Sequence, residues 1–311
     1  MNKALSELRI VFMGTPDFAV ASLKALASAG CNIVGVITAP DKAAGRGMKI
    51  QYSAVKQYAL EKGLPTLQPA KLKDPAFVRD LQSLKADIQI VVAFRMLPEI
   101  VWNMPPLGTI NVHGSLLPDY RGAAPINRAV MNGEKETGVT TFKLQHQIDT
   151  GNILMQETMP IDENETASSV HDRMKELGAN LLVNTIKGII NNDLQEKPQQ
   201  IATTDKHAPK IFSADCEINW QQSTDAIHNH IRGLAEFPGA FTYLQATLLK
   251  VFRSTKEYTI DANEIGTMLS DSKTYIKFKT IDGYIHVTDI QLAGKKRMLV
   301  GDFLRGNKIT Q

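Results

Sequence analysis

The sequence predicts an α/β protein in which a doubly wound, mostly parallel sheet is followed by a smaller β-barrel. In the first part, apolar residues predict a buried strand at 8–13, an amphipathic helix through 20–27 and a second strand at 32–38. A strand-helix-strand opening favours a parallel sheet with helices on both faces. Beyond residue 240 the pattern changes to short alternating segments, with Asp282-Gly283 typical of a tight turn, which favours a small barrel.

The composition indicates a soluble globular protein. Hydrophobic residues make up 43% of the chain of 311, and there is no apolar run near the ~20 residues that a membrane span needs. The 35 Lys and Arg exceed the 32 Asp and Glu by 3, which leaves any nucleic-acid binding to local basic patches. Glu7 and Arg9 interrupt the start where a secretory segment would be apolar, and Cys31 and Cys216 lack a CxxC spacing. We therefore expect a cytoplasmic monomer without disulfides.

The remaining elements of the first part follow from apolar spacing and from helix-end signals. Ser53 is a typical cap for a helix that reaches about residue 62. Further strands are predicted at 87–94, 109–112, 139–144 and 153–161, and further helices from about 123 and over 166–186. The turn GTPDF after the first strand lacks G-x-G-x-x-G, and the second strand does not end on an acidic residue, so a dinucleotide site is disfavoured.

A polar stretch at 191–209, which contains Pro198 and Pro209, predicts a linker between two domains. Beyond it the sequence predicts a helix at 225–232 and strands at 241–244, 248–253, 275–280 and 284–290. We therefore expect a first domain over residues 1–190, a linker over 191–209 and a second domain over 210–311.

Asn111 and His113 are the candidate chemical groups of the first domain. They alternate in a predicted strand, so both side chains point to one face, near the strand end where open α/β sheets bind ligands. An imidazole exchanges a proton near neutral pH and an amide can donate to a developing oxyanion, which suits attack on a carbonyl or formyl carbon. Asp149, in IDTGNI, is the candidate carboxylate that orients the imidazole. Taken alone, Asn111 and His113 would more simply be explained as satisfying backbone groups at the strand end.

The segments NVHGSLLPDYRG and GVTTFKLQHQIDTGNI together resemble the folate-dependent formyltransferases. The resemblance implies that Asn111, His113 and Asp149 form the catalytic set and that 10-formyltetrahydrofolate is the co-substrate. It also implies that the reduced folate contacts Ser115, Leu116, Leu117 and Pro118 of the SLLP turn, and Phe94 and Leu97 nearby. The sequence departs from the family at Arg95-Met96, where a glycine-containing turn is usual. No metal is expected, because the histidines and cysteines show no paired ligand spacing.

Two basic segments are the candidate RNA contacts. The loop at 39–49, APDKAAGRGMK, would by itself be an ordinary mobile surface loop. In the family members that act on methionyl initiator tRNA this loop enters the acceptor stem, which implies tRNA contacts for Lys42, Arg46 and Lys49. HAPKI, INW, FPGAFT and LAGKKRM resemble the OB-like second domain of those members. A basic run is usually a solvated face, but here the resemblance implies phosphate contacts for Lys295, Lys296 and Arg297.

The resemblance implies a Rossmann-like formyltransferase sheet with an OB-like barrel, and an enzyme that formylates the α-amino group of methionyl initiator tRNA for translation initiation. Two alternatives share the chemistry: a formyltransferase for glycinamide ribonucleotide or an amino sugar, and a formyltetrahydrofolate hydrolase. Residues 210–311 and the loop around Arg46 argue against the ribonucleotide enzyme, which usually ends near the long helix. A folate- or RNA-binding module without catalysis is the alternative of a different class, and the presence of all three site groups argues against it.

Overall fold

A computed structural model describes residues 4–44, 49–200 and 206–307. The chain divides into two compact units. The first unit comprises Met1–Arg121, Gly138–Met159 and Asp172–Lys206, and the second comprises Gly122–Thr137, Pro160–His171 and His207–Gln311. Two short stretches from the middle of the chain therefore belong to the same unit as its C-terminal part.

Strands and helices alternate in the first half of the chain, and strands predominate after residue 240. The strands are β1 (Arg9–Gly14), β2 (Asn32–Ile37), β3 (Lys42–Ala44), β4 (Lys49–Gln51), β5 (Thr66–Leu67), β6 (Ile88–Val92), β7 (Thr109–His113), β8 (Arg121–Gly122), β9 (Glu136–Lys143), β10 (Ile153–Pro160), β11 (His207–Ala208), β12 (Ala240–Leu244), β13 (Thr247–Tyr258), β14 (Met268–Ser270), β15 (Ile276–Lys279), β16 (Gly283–Leu292) and β17 (Met298–Leu299). The helices are α1 (Asp17–Ser28), α2 (Ala54–Glu61), α3 (Pro75–Ser83), α4 (Glu99–Trp102), α5 (Pro125–Met131), α6 (Ala167–Asn191), α7 (Thr224–Leu234) and α8 (Val300–Gly306), and Ser213–Cys216 forms a 3-10 turn.

The first unit is built on a seven-stranded sheet in the order β10-β9-β7-β6-β1-β2-β5. Strands β5, β2, β1, β6 and β7 run parallel, whereas β9 runs antiparallel to β7. All five residues of β6 are buried, as expected for a central parallel strand that is covered on both faces. The predicted doubly wound, mostly parallel sheet is confirmed.

Local sequence signals account for the helix starts in this unit. Asp17 lies in the first turn of α1, and the Ser53 hydroxyl accepts a hydrogen bond from the Lys56 amide at 3.0 Å at the start of α2. Helix α3 was not predicted, although Asp74 caps it by accepting from the Ala76 amide at 2.9 Å. Helix α6 ends five residues later than the predicted limit of 186, at Asn191.

The segment predicted as a surface loop at 39–49 includes residues of two short strands. Strands β3 and β4 pair in an antiparallel ladder that joins Lys42 to Gln51 and Ala44 to Lys49. These two strands were not predicted from the sequence. Apolar alternation was too short here to reveal a three-residue ladder.

The second unit contains an antiparallel sheet in the order β12-β13-β16-β15-β14, with β17 paired to β16. Helix α7 supplies Ile227 and Ile231 to a core that also contains Val251, Phe278 and Ile285. This is the OB-like architecture expected from the sequence. Strands β14 and β17 were not predicted, because three-residue and two-residue strands carry too little alternation to be recognised.

No helix among residues 4–44, 49–200 and 206–307 combines the length and apolar character required to cross a bilayer. Within the same ranges, no group of three or more His, Cys, Asp and Glu side chains is arranged to hold a metal ion.

Candidate active site

Strand β7 places Asn111 and His113 on one face of the first unit's sheet. Its neighbours fix the backbone on both sides, because Asn111 lies opposite Val91 of β6 and Phe142 of β9. The His113 side chain is nearly buried, with 8% of its surface exposed, and packs edge-on to the Phe142 ring with 6.4 Å between centroids. Asn111 is half-buried. The predicted pairing of an amide with an imidazole at this strand end is present.

The hydrogen bonding of His113 assigns its proton. Nε2 lies 2.9 Å from the Tyr120 carbonyl oxygen, and because a carbonyl can only accept, Nε2 carries a hydrogen. Nδ1 lies 3.9 Å from Oδ2 of Asp149, which is beyond hydrogen-bond distance but within ion-pair range. The Asp149 side chain is 12% exposed, so water screens this pair only weakly. A proton arriving at Nδ1 would therefore meet a carboxylate.

Asp149 adopts a left-handed backbone conformation with φ of 54°, which Asp tolerates better than most residues. Its carbonyl oxygen accepts from Arg121 Nε at 3.1 Å and from Gln199 Nε2 at 2.9 Å. The same Gln199 nitrogen donates to the Gly151 carbonyl at 2.8 Å, and Gln199 Oε1 accepts from Arg121 Nη2 at 2.7 Å. We refer to Arg121 and Gln199 as the clamp. It holds the backbone on both sides of Thr150.

The loop that carries Asp149 is also fixed by a close approach at Gly151. A Cβ at this position would lie 1.6 Å from the Lys143 carbonyl oxygen, so only glycine fits. Lys143 in turn pairs with Glu196, which also accepts from Asn152 Nδ2 at 3.1 Å. The hydrogen bond from Lys143 holds the pKa of the Glu196 carboxyl below its ordinary value. The chain after α6 is thereby attached to the site loop.

Sequence reasoning missed the clamp. Arg121 was noted only as part of a motif, and Gln199 was placed in a linker. The two residues lie 78 positions apart, so neither spacing nor alternation connects them. A polar residue within a predicted linker carries no local signal that it positions a catalytic loop.

The Asn111 amide makes no side-chain hydrogen bond to any residue that the structure describes. Polar groups with restricted access to water are normally paired within the protein or with a bound molecule. A half-buried amide beside His113 can therefore donate to an oxygen atom of a ligand.

The predicted folate-contact turn, Ser115 to Pro118, is rigidly held. The Ser115 hydroxyl donates to the Asp119 carbonyl at 2.6 Å, and Thr140 Oγ1 both donates to the Ser115 carbonyl and accepts from the Leu117 amide. The Leu117-Pro118 peptide is cis. Ser115 and Leu117 are buried, whereas Leu116 and Pro118 retain accessible surface. The side chains of the turn that can meet a ligand directly are therefore Leu116 and Pro118.

The other predicted folate contacts follow β6. Phe94 is half-buried against the apolar core of the first unit, and Leu97 is a buried member of that core. Arg95 donates to the Pro69 carbonyl and, at 2.9 Å, to the Ala70 carbonyl, while its guanidinium lies 5.6 Å from the centre of the Phe94 ring. Desolvation lowers the pKa of Arg95. The Arg95 side chain thus anchors the turn in which the sequence departs from its family.

The predicted tRNA contacts differ in their electrostatic surroundings. Lys42 is exposed, whereas Arg46 and the side chain of Lys49 lie outside the described residues. In the second unit, Lys295 bonds to Asn307, and Lys296 is exposed. Arg297 forms ion pairs with Asp289 and Glu236 and lies over the Phe252 ring at 4.1 Å. Hydrogen bonds to Asp289 and Glu236 raise the pKa of Arg297, and these two carboxylates compensate its charge.

Family models match both parts of the chain. The model described as formyl transferase matches residues 8–186, and the model described as formyl transferase, C-terminal domain matches residues 210–308. The chain is 51% identical to the methionyl-tRNA formyltransferase of Bacteroides thetaiotaomicron over 312 residues, covering 98% of this chain and 97% of the relative. It is 45% identical to the enzyme of the same name from Flavobacterium johnsoniae over 306 residues, covering 97% of both chains.

Solved structures share the fold at lower identity. The N-formyltransferase of Helicobacter canadensis, solved with folinic acid and dTDP-3-aminofucose, has a TM-score of 0.68 at 23% identity and covers 90% of this chain and 98% of its own. HypX of Aquifex aeolicus, solved with tetrahydrofolic acid, has a TM-score of 0.65 at 18% identity and covers 96% of this chain and 47% of its own. These likenesses agree with a two-part formyltransferase architecture.

Proposed function

Because this chain belongs to the family of methionyl-tRNA formyltransferases, we propose that Asn111, His113 and Asp149 are its catalytic residues. The enzyme transfers a formyl group to the α-amino group of methionyl initiator tRNA, for translation initiation. A reduced folate carries that group, and we propose 10-formyltetrahydrofolate as the form used. The observation that supports the site assignment is the Asn111 amide, which lacks a hydrogen-bond partner among the described residues, beside an imidazole that faces a carboxylate.

In the proposed reaction, Asn111 and His113 stabilise negative charge. The neutral amine of methionine attacks the formyl carbon, a carbon–nitrogen bond forms, and the formyl oxygen becomes an oxyanion. Asn111 donates to that oxygen, and His113 adds positive charge once it is protonated at Nδ1. Donors fixed in place before the reaction lower the barrier, because they need no reorganisation as charge develops. Strand β7 fixes the backbone of both residues.

Asp149 has the proton-handling role in this proposal. The attacking nitrogen becomes an ammonium, and its proton must leave before the tetrahedral intermediate collapses. Asp149 stabilises the imidazolium at Nδ1 and relays the proton, directly or through water, to the folate nitrogen as the original carbon–nitrogen bond breaks. The products are formylated methionyl-tRNA and tetrahydrofolate. No covalent bond to the enzyme forms.

The binding surfaces complete the proposal. Phe94, Leu97 and the turn from Ser115 to Pro118 contact the folate, with Ser115 and Leu117 acting through their backbone because their side chains are buried. The tRNA contacts are Lys42, Arg46, Lys49, Lys295, Lys296 and Arg297. The proposal keeps a catalytic domain at 1–190, a linker at 191–209 and a tRNA-contacting domain at 210–311, in a cytoplasmic monomer.

The proposed acceptor is tested by following a labelled formyl group. Purified protein receives 10-formyltetrahydrofolate with methionyl initiator tRNA, with glycinamide ribonucleotide, with a nucleotide-linked amino sugar, or with no acceptor. We expect label on the methionine of the tRNA and on neither small amine. Label on a small amine in preference to tRNA, or formate released equally fast without an acceptor, would contradict the proposal.

Replacing Gln199 by Leu is expected to lower kcat roughly tenfold to one-hundredfold with little change in the folate KM. Leu has a similar volume but cannot donate to the Asp149 and Gly151 carbonyls, so the catalytic carboxylate loses an anchor of its backbone. The measurement is steady-state kinetics with each substrate varied in turn. A positioning role affects kcat more than either KM, because the clamp acts on the backbone of the Asp149 loop.

Gln200→Leu is the matched control, because Gln200 is the adjacent and more exposed amide. Its turnover should equal that of the wild type. Gln199→Glu retains an acceptor for Arg121 but lacks the donor, so it should resemble Gln199→Leu. A Gln199→Leu enzyme with wild-type kcat would show that the clamp does not position Asp149.

A further inference from the structure

A groove in the second unit has the features of a site for a single unpaired nucleotide. It has a volume of about 670 Å³, and its wall includes Phe212, Phe237 and Tyr243. These aromatic residues are 63%, 85% and 51% exposed. Large apolar side chains in a concave surface commonly mark a binding site, particularly where several cluster. The proposed chemistry of formyl transfer uses none of these residues.

The aromatic side chains project from anchored backbone. The Phe212 carbonyl accepts from the Asp215 amide at 3.0 Å, and the Phe212 amide donates to Oδ2 of Asp215 at 2.8 Å. Elsewhere in the groove wall, Lys250 Nζ donates to the Pro238 carbonyl at 2.8 Å, which ties the turn after Phe237 to β13. Because this backbone is already fixed, it loses little conformational freedom when a planar group stacks on the rings.

The charge of the groove favours an anion. Lys210 and Lys250 belong to its wall, and none of its lining residues is an Asp or Glu. Lys210 is exposed, and its ammonium lies 5.4 Å from the centre of the Phe212 ring. An exposed aromatic next to a cation matches the base and the phosphate of one nucleotide, a combination common in proteins that bind single-stranded nucleic acid. An apolar peptide would leave the Lys210 charge without a counterpart.

From this geometry we infer that the groove binds an unpaired nucleotide of the tRNA substrate, with the base stacked on Phe212 or Phe237 and the phosphate beside Lys210. The inference rests on the proposed function, since it takes tRNA as the acceptor. Stacking tolerates any base, so the groove contributes affinity rather than sequence discrimination.

The test measures the affinity of wild-type protein and variants for uncharged initiator tRNA by fluorescence anisotropy. Phe212→Ala, Phe237→Ala and the double variant are compared with Ile260→Ala, which removes an apolar side chain that is 95% exposed and outside the groove wall. We expect Kd to rise roughly fivefold to one-hundredfold in the double variant, the range for loss of one base stack, and to stay unchanged in Ile260→Ala. A double variant with wild-type affinity would overturn the inference.

Two further variants separate a stacked base from other contacts. Phe212→Leu with Phe237→Leu keeps apolar surface but removes the aromatic faces, so it should weaken tRNA binding as the Ala changes do. Wild-type affinity in this variant would overturn base stacking.

Lys210→Ala should lower the slope of log Kd against log salt concentration by roughly one, as expected for one lost phosphate contact. An unchanged slope would overturn the phosphate assignment. Formylation by the wild type, assayed in parallel, tests the proposed function separately.

Discussion

The Asp149→Asn enzyme is expected to turn over roughly 10²–10³ times more slowly than the wild type, with its fold intact. Asn has almost the same shape, tolerates the left-handed backbone at this position, and leaves the Asp149 carbonyl free to accept from Arg121 and Gln199. The change therefore removes one negative charge from beside His113 Nδ1. Single-turnover rates at saturating substrates measure its effect on the chemical step.

The size of this effect follows from the way in which the His113 tautomer is fixed. In a catalytic triad, Asn in place of Asp also costs rate because the imidazole adopts the wrong tautomer. Here Nε2 donates to the Tyr120 carbonyl, so the neutral tautomer is set by backbone and survives the substitution. What is lost is stabilisation of the imidazolium, and we therefore expect a smaller decrease than in a triad.

Asp193→Asn is a suitable control, since Asp193 is an exposed carboxylate in the same unit. Its rate should match that of the wild type. A rate for Asp149→Asn within threefold of the wild type, with unchanged thermal stability, would exclude Asp149 from proton transfer.

The sheet of the first unit could be predicted because its signals are local. The apolar runs of β1 and β2 enclose an amphipathic helix, and this arrangement permits few topologies. The ends of elements were less predictable. The end of α6 at Asn191 was not predicted, because apolar spacing does not indicate where a helix without a strong stop signal ends. The β3-β4 ladder was missed because its stability comes from pairing, which three residues of sequence do not reveal.

The candidate site was predictable only where its parts lie close in sequence or in a recognisable motif. Asn111 and His113 follow from strand alternation, and Asp149 follows from the resemblance of IDTGNI. The hydrogen bonds of Gln199 depend on the path of the chain after α6, which no local pattern specifies.

The compensation of the Arg297 charge by two carboxylates also could not be predicted from the sequence. The run from Lys295 to Arg297 gives three formal positive charges, but Asp289 and Glu236 neutralise Arg297. Glu236 lies 61 positions away along the chain, so the run alone could not indicate which cation remains uncompensated. Compensation by two carboxylates makes Arg297 a weaker attractor of phosphate than the exposed Lys296.

Replacing Asn111 by Ala is expected to lower kcat roughly 10²–10³-fold without lowering thermal stability. The rate falls because an oxyanion donor is lost. Stability is retained because the amide makes no side-chain hydrogen bond within the described residues, so its removal leaves no protein group unpaired. Kinetics and thermal denaturation measured on the same preparations check both halves of this prediction.

Asn111→Asp tests whether a hydrogen-bond donor is needed at this position, and Asn103→Ala is the control. Asp is nearly isosteric with Asn but places an acceptor or a negative charge where the oxyanion forms, so Asn111→Asp should be at least as slow as Asn111→Ala. Asn103 is an exposed amide in the same unit, and Asn103→Ala should behave as the wild type.

Because Asn111 and Asp149 would act on one intermediate, the Asn111→Ala/Asp149→Asn double variant should lose less rate than the product of the two single losses. Fully multiplicative losses would mean that the two residues contribute independently, contrary to the coupled action proposed here.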